Sequence, residues 1–152
     1  MKKILLTSSI IFMMAIGTVN AQNYKTGVGL GIDFGNGSTL VGPQIKHFFS
    51  QNSAINGQVL FGNNYTMLAA YYQYHGGFNS TRNLQWYLGV GPSLGLYKGG
   101  SDFFIRPMTG LDFKIPDAPI AMSFDWRPML YLGNNSDFEP GRFGIGFNYT
   151  LN

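Results

Sequence analysis

Tyr24-Lys25-Thr26-Gly27-Val28-Gly29-Leu30-Gly31-Ile32-Asp33-Phe34-Gly35 is the stretch whose reading decides the fold. Tyr24, Thr26, Val28, Leu30, Ile32 and Phe34 share one parity; Lys25, Gly27, Gly29, Gly31 and Asp33 share the other. Successive side chains of a strand point to opposite faces, so this period of two makes one large apolar face and one small or polar face. A soluble barrel would bury the apolar face. Here the opposite face carries glycines, amides, tyrosine hydroxyls and most of the charges, which suit a narrow, wet interior. The apolar face then looks outward, and an outward apolar band belongs in lipid.

Working outward from this strand, seven more follow. Asn36-Gly37 is a hairpin signal leading to strand two, about residues 39–49, with Val41, Pro43, Ile45 and Phe49 outward and Gln44 and Lys46 inward. Strand three, about 54–62, sets Ile55, Val59 and Phe61 against Asn56 and Gln58, and Asn63-Asn64 turns the chain into strand four, about 65–75. Residues 76–82 read as a longer connection. Strand five alternates Leu84, Trp86, Leu88, Val90, Leu94 and Leu96 with Gln85, Tyr87, Gly89, Gly91, Ser93, Gly95 and Tyr97. After a connection over 98–102, strand six turns Phe103, Ile105, Leu111 and Phe113 outward and Arg106, Asp112 and Lys114 inward. The compact turn Pro116-Asp117-Ala118-Pro119 leads to strand seven, with Ile120, Met122, Phe124, Trp126, Leu130 and Leu132 outward and Ser123, Asp125 and Arg127 inward. The longest loop, 133–141, precedes strand eight, where Phe143, Ile145, Phe147, Tyr149 and Leu151 oppose Gly144, Gly146 and Asn148.

The expected fold is therefore all-β: a transmembrane, eight-stranded, antiparallel up-and-down β-barrel after a cleaved signal peptide. An interior of that size is filled by side chains and leaves no aqueous channel. Pro43, Pro92, Pro107 and Pro128 fall inside strands, where each deletes a ladder donor and counts against the assignment; bulges and barrel rims are two ways to accommodate them, and the sequence does not choose between the two.

The amino terminus agrees with such a destination. Lys2 and Lys3 form a basic segment, Ile4 to Ile16 an apolar one, and Val19 and Ala21 stand where a small-residue cleavage site is expected. The apolar run is shorter than the roughly 20 residues of a spanning helix. Residues 1–21 thus read as a signal peptide, 22–152 as one barrel domain, and the mature chain is expected to begin at Gln22 and to lie in the outer membrane. Losing Lys2 and Lys3 lowers the net charge from +3 to about +1 and leaves no basic tract for nucleic acid. The absence of cysteine leaves neither a disulfide framework nor a lipid-attachment site. Thirteen Phe, nine Tyr and 21 Gly favour strands and tight turns.

With both termini on the periplasmic side, the aromatics sort into two girdles. Tyr24, Phe49, Tyr72, Tyr74, Trp86, Phe113 and Tyr149 collect at the periplasmic rim, and Phe34, Phe61, Phe103 and Phe143 at the outer rim. Inside, symmetric pairing about the Pro116–Pro119 turn is expected to put Arg106 opposite Arg127 with Asp125 diagonal to Arg106. Asp125 then serves as their shared carboxylate, with Asp112 on the same wall and Asp33 and Lys46 reaching in from other strands. Unpaired charge in a narrow interior is costly, so these six residues read as a lumen-filling network, the alternative being a selectivity site for an anionic solute. His47 and His75 are the only histidines and Glu139, the only glutamate, lies at the far end from both. Two isolated histidines do not make a metal set, so no metal, cofactor or catalytic residue is expected.

The runs GPQIKHFFSQNSAINGQVLFG, YYQYHGGF, LQWYLGVGPSLGLY and APIAMSFDWRPML together resemble a family of short outer-membrane β-barrel proteins of the Bacteroidetes, with the architecture of OmpA/OmpX-type barrels. The likeness covers strands two to eight. It implies fold and place more than activity, its members being described as outer-membrane or porin-like proteins. The partners it implies are outer-membrane lipid, lipopolysaccharide and the barrel-assembly machinery, for a monomeric chain. A non-catalytic structural or interaction role is expected first, a narrow porin-like solute pore second and a lipid-modifying enzyme third.

Overall fold

The computed structural model describes residues 24–133 and 137–151. The expected signal peptide, its cleavage site and the start at Gln22 lie outside the described residues. The strands, in chain order, are β1 (Thr26–Gly35), β2 (Ser38–Phe48), β3 (Ser53–Gly62), β4 (Tyr65–Phe78), β5 (Thr81–Tyr97), β6 (Gly100–Lys114), β7 (Ile120–Trp126), β8 (Met129–Tyr131), β9 (Phe138–Glu139) and β10 (Phe143–Leu151). Each barrel strand pairs antiparallel with its neighbours; β10 pairs with both β1 and β7, and β5 with β6, so the sheet closes on itself. The result is an eight-stranded barrel in which β8 continues β7 along β6, and β9 folds back onto β8.

The alternation read from the sequence is the alternation of the wall. In β1, Val28 and Leu30 are exposed while Asp33 is fully buried; in β2, Val41 and Ile45 are exposed and Gln44 and Lys46 buried. Two-residue turns join β1 to β2 at Asn36-Gly37, β3 to β4 at Asn63-Asn64, β4 to β5 at Asn79-Ser80 and β5 to β6 at Lys98-Gly99. Asn36 and Gly37 both have positive φ, 47° and 78°, the type I′ geometry whose twist matches the flanking strands.

Several connections depart from expectation. The segment 76–82 is not a long loop: β4 runs to Phe78, and Gly76 and Gly77 pair with Trp86 and Gln85. A Cβ on Gly76 would stand 2.2 Å from the Trp86 ring, so the glycine lets the indole lie across the strand rather than breaking it. The connection expected over 98–102 shrinks to Lys98-Gly99 because Ser101 and Asp102 pair with Leu96 and Gly95. Strand seven divides at Arg127-Pro128, and β9 takes up part of the expected 133–141 loop, of which 134–136 lie outside the described residues.

The prolines occupy neither bulges nor rims. The β2–β3 ladder stops at Val41↔Phe61 and resumes at Gln44↔Gln58 in unchanged register, skipping Pro43. The β4–β5 ladder does the same around Pro92, between Ala69↔Ser93 and Tyr72↔Val90. Pro107 and Pro128 face each other's gap, between Thr109↔Trp126 and Ile105↔Leu130. A missing N–H therefore costs a local interruption of the ladder and no slip of register. The register irregularity at Gly77/Phe78 lies away from all four.

Candidate functional site: the charged lumen

Among the described residues seventeen polar or charged side chains are buried in a barrel this narrow, and hydrogen bonding decides how they share it. The ends of the barrel are distinguished by the chain: one carries the two described termini, the other the β1–β2 turn. Nearest the termini, Lys46 of β2 reaches across to Asp112 of β6 at 2.8 Å, and Tyr24 donates its hydroxyl proton to the same Asp112 oxygen at 2.9 Å. Lys46 also lies over the Tyr87 ring, 4.9 Å from its centroid. His75, fully buried, stands between Phe48 and Tyr87 with Gln85 and Gln73 on its ring nitrogens.

In the middle, Arg127 holds Asp125 through both Nε and Nη2, the latter at 2.6 Å, and Tyr87 donates its hydroxyl proton to Asp125. Arg127 Nη1 donates to Gln58 at 3.0 Å, Gln58 to Gln44 at 2.7 Å, and Gln44 to Asn148 at 2.9 Å. This relay crosses from the junction of β7 and β8 through β3 and β2 to β10, with Gln58 and Gln44 each accepting on one side and donating on the other and Asn148 accepting at its end. The Arg127 guanidinium also lies against Gly144, where a Cβ would come within 2.2 Å of it. Gly144→Val should therefore push Arg127 off Asp125 and destabilise the barrel by about 1–3 kcal/mol, the usual cost of overpacking; urea unfolding checks it, and an unchanged midpoint would show that the guanidinium has room elsewhere.

Nearest the β1–β2 turn, Asp33 receives two arginines. Arg106 Nη1 donates to one oxygen at 2.6 Å, while Arg142 grips the other through Nε at 2.9 Å and through Nη2. Arg142 Nη1 further donates to Ser38 Oγ at 2.7 Å and the Gly35 carbonyl at 2.6 Å; Arg106 Nη2 donates to the Arg127 carbonyl at 3.0 Å.

All six expected network residues, Asp33, Lys46, Arg106, Asp112, Asp125 and Arg127, are thus in the lumen and buried. Their pairing differs from expectation. Asp125 does not bridge Arg106 and Arg127, because the β6 register runs Gly110↔Asp125 and Ile105↔Leu130, which sets Arg106 two residues beyond the level of Arg127. Arg106 turns instead to Asp33 across the barrel. Arg142 was not expected at all. Its parity matches Gly144, Gly146 and Asn148 on the inner face, so carrying the alternation one step before Phe143 would have found it.

Ten of the eleven girdle aromatics are partly or well exposed on the outer wall: Phe49, Tyr72, Tyr74, Trp86, Phe113 and Tyr149 toward the termini, and Phe34, Phe61, Phe103 and Phe143 toward the turns. Phe49 pairs with Tyr72, Tyr74 with Trp86, and Phe34 with Phe143, at centroid distances of 5.9–6.2 Å. Tyr24 is the correction. It is 3% exposed, inside the barrel, because the chain bends at Lys25 and breaks the alternation; Lys25, expected inward, is exposed. Asp112 rewards the inversion with an acceptor for the phenol.

The histidines are placed apart. His47 is exposed and bonds Thr26 Oγ1 at 2.8 Å, and His75 is buried among glutamines. No family model matches the chain, and no curated protein matched it.

Proposed function

We propose that this chain is a small outer-membrane β-barrel protein, exported by the signal peptide of residues 1–21, with a side-chain-filled lumen and a structural or interaction role rather than a catalytic one. It groups on this reading with the short outer-membrane barrels of the Bacteroidetes. The observation that carries the proposal is the inside-out wall. Leu30, Ile45, Ile55, Leu68, Val90, Leu111, Phe124 and Phe147 each lie 40–53% exposed, one from every barrel strand, while the paired charges fill the interior. Soluble monomers rarely carry a continuous apolar belt of that extent, and in lipid it is the ordinary solvent-facing surface.

Leu30→Arg tests the reading. Leu30 stands midway along β1 and is 53% exposed, so a guanidinium there should cost about 2–4 kcal/mol when the barrel folds in bilayers. On a water-facing wall the same change should stay within about 0.5 kcal/mol, and that result would make the barrel a soluble one. Fractionation offers a second check: the mature protein should begin at Gln22, sediment with outer membranes and migrate faster in SDS gels before boiling than after.

The filled interior also favours a plug over a pore, and planar-bilayer recordings should show no unitary conductance. For enzymatic lipid modification the histidines supply no support: the ring nitrogens of His47 and His75 hydrogen-bond to threonine and glutamine, not to a carboxylate. Lipid A from expressing and deleted cells should be the same.

A further inference from the structure

The charges of the inner wall do not balance, and the imbalance has a location. Lys46 pairs with Asp112 and Arg127 with Asp125, one to one, whereas Asp33 alone serves both Arg106 and Arg142. Among the described buried side chains, one positive charge at the turn end is left without a carboxylate. Arg106 gives an independent sign of it: fully buried, its Nε has no hydrogen-bond partner. A buried cation in that condition is costly and favours a counter-anion.

A cavity of about 490 Å³ opens at this end, and Arg142 lines it. Its size suits a small molecule. Met67 connects it to Arg106, lining the cavity while its sulfur accepts from Arg106 Nη1 at 3.2 Å. The lining is divided by chemistry. Leu40 and Met67 belong to a buried apolar cluster with Tyr65 and Met129 packed against it, and Ser38 and Asn63 add polar groups. Glu139 also lines the cavity but is exposed, so solvent screens its opposing charge.

We propose that this cavity binds a small organic monoanion, a carboxylate borne on an apolar group, with its charge set toward Arg142 and its apolar part against Met67 and Met129. The inference concerns the mouth of the barrel and holds whether or not the outer wall meets lipid.

The test is calorimetric titration of the folded full barrel with phenylacetate and with phenethylammonium, two probes of similar frame and opposite charge. Phenylacetate should bind saturably at one site, and phenethylammonium on the order of tenfold more weakly. Trp126 donates its indole proton to the Pro140 carbonyl at 2.6 Å, beside the Glu139–Arg142 segment, so its fluorescence should follow the titration. Arg142→Gln should abolish phenylacetate binding. Because that variant also strips Asp33 of a partner, the exposed Glu139→Gln carries the test if it fails to fold: removing the opposing charge should tighten phenylacetate about two- to fivefold. Absence of saturable phenylacetate binding, equal binding of the two probes, or weaker phenylacetate binding by Glu139→Gln would each overturn the proposal.

Discussion

Asp33→Ala should destabilise the barrel by about 5 kcal/mol, the upper end of what removing one partner of a buried ion pair costs. Asp33 is fully buried and is the carboxylate that both Arg106 and Arg142 hold, so its loss strands two guanidinium groups in one low-dielectric space. Neither has an easy way out: Arg106 is fully buried, and Arg142 is anchored to the β1–β2 hairpin through Ser38 and Gly35. Adding Arg142→Gln should return part of the loss by removing one stranded charge while keeping a donor for Ser38. Urea unfolding in liposomes measures both variants. A cost under about 1 kcal/mol for Asp33→Ala would mean that water entering through the cavity screens both arginines as fully as on an exposed surface.

Asp125→Ala is the second large effect, about 3–5 kcal/mol. It deprives Arg127 of two hydrogen bonds and Tyr87 of its acceptor. Its partner dependence separates the observed pairing from the one expected from sequence. Arg127→Gln added to Asp125→Ala should recover part of the loss, giving a coupling of about 1–3 kcal/mol, because the stranded charge disappears. Arg106→Gln added to Asp125→Ala should instead come closer to additive, since Arg106 makes its ion pair with Asp33. The reverse pattern, rescue by Arg106→Gln and none by Arg127→Gln, would restore the shared-carboxylate arrangement.

The layered pairing also explains how so many charges share one narrow interior. Each lumen carboxylate meets at least one cation, and Gln58, Gln44 and Asn148 continue the network from Arg127, while Asn56 Oδ1, Gln85 Nε2 and Ser93 Oγ are buried without a hydrogen-bond partner. A half-satisfied network would cost more than an apolar core. The one excess charge among the described buried side chains is at the turn end, where the cavity lies.

The sequence by itself determined the two faces, the number of barrel strands, the hairpin at Asn36-Gly37 and the inward position of the six charged residues. All of these follow from a period of two and from turn chemistry, which are properties of neighbours along the chain. What only the tertiary structure decided is who meets whom. Asp33 and Arg106 are 73 residues apart and pair across the lumen; alternation places both inside but carries no information on strand tilt and stagger, which fix the level at which opposite walls face each other. The same limit hid Arg142, one step before the residue where strand eight was taken to begin. Tyr24 escaped because the strand starts only at Thr26, and the bend at Lys25 sends the residue before it inward. Gly76-Gly77 read as a break, yet both pair with β5, and the missing Cβ at Gly76 leaves room for the Trp86 ring. The in-strand prolines, finally, were tolerated because neighbouring pairs on both sides of each gap hold the register, a collective property of the closed sheet that no single segment can display.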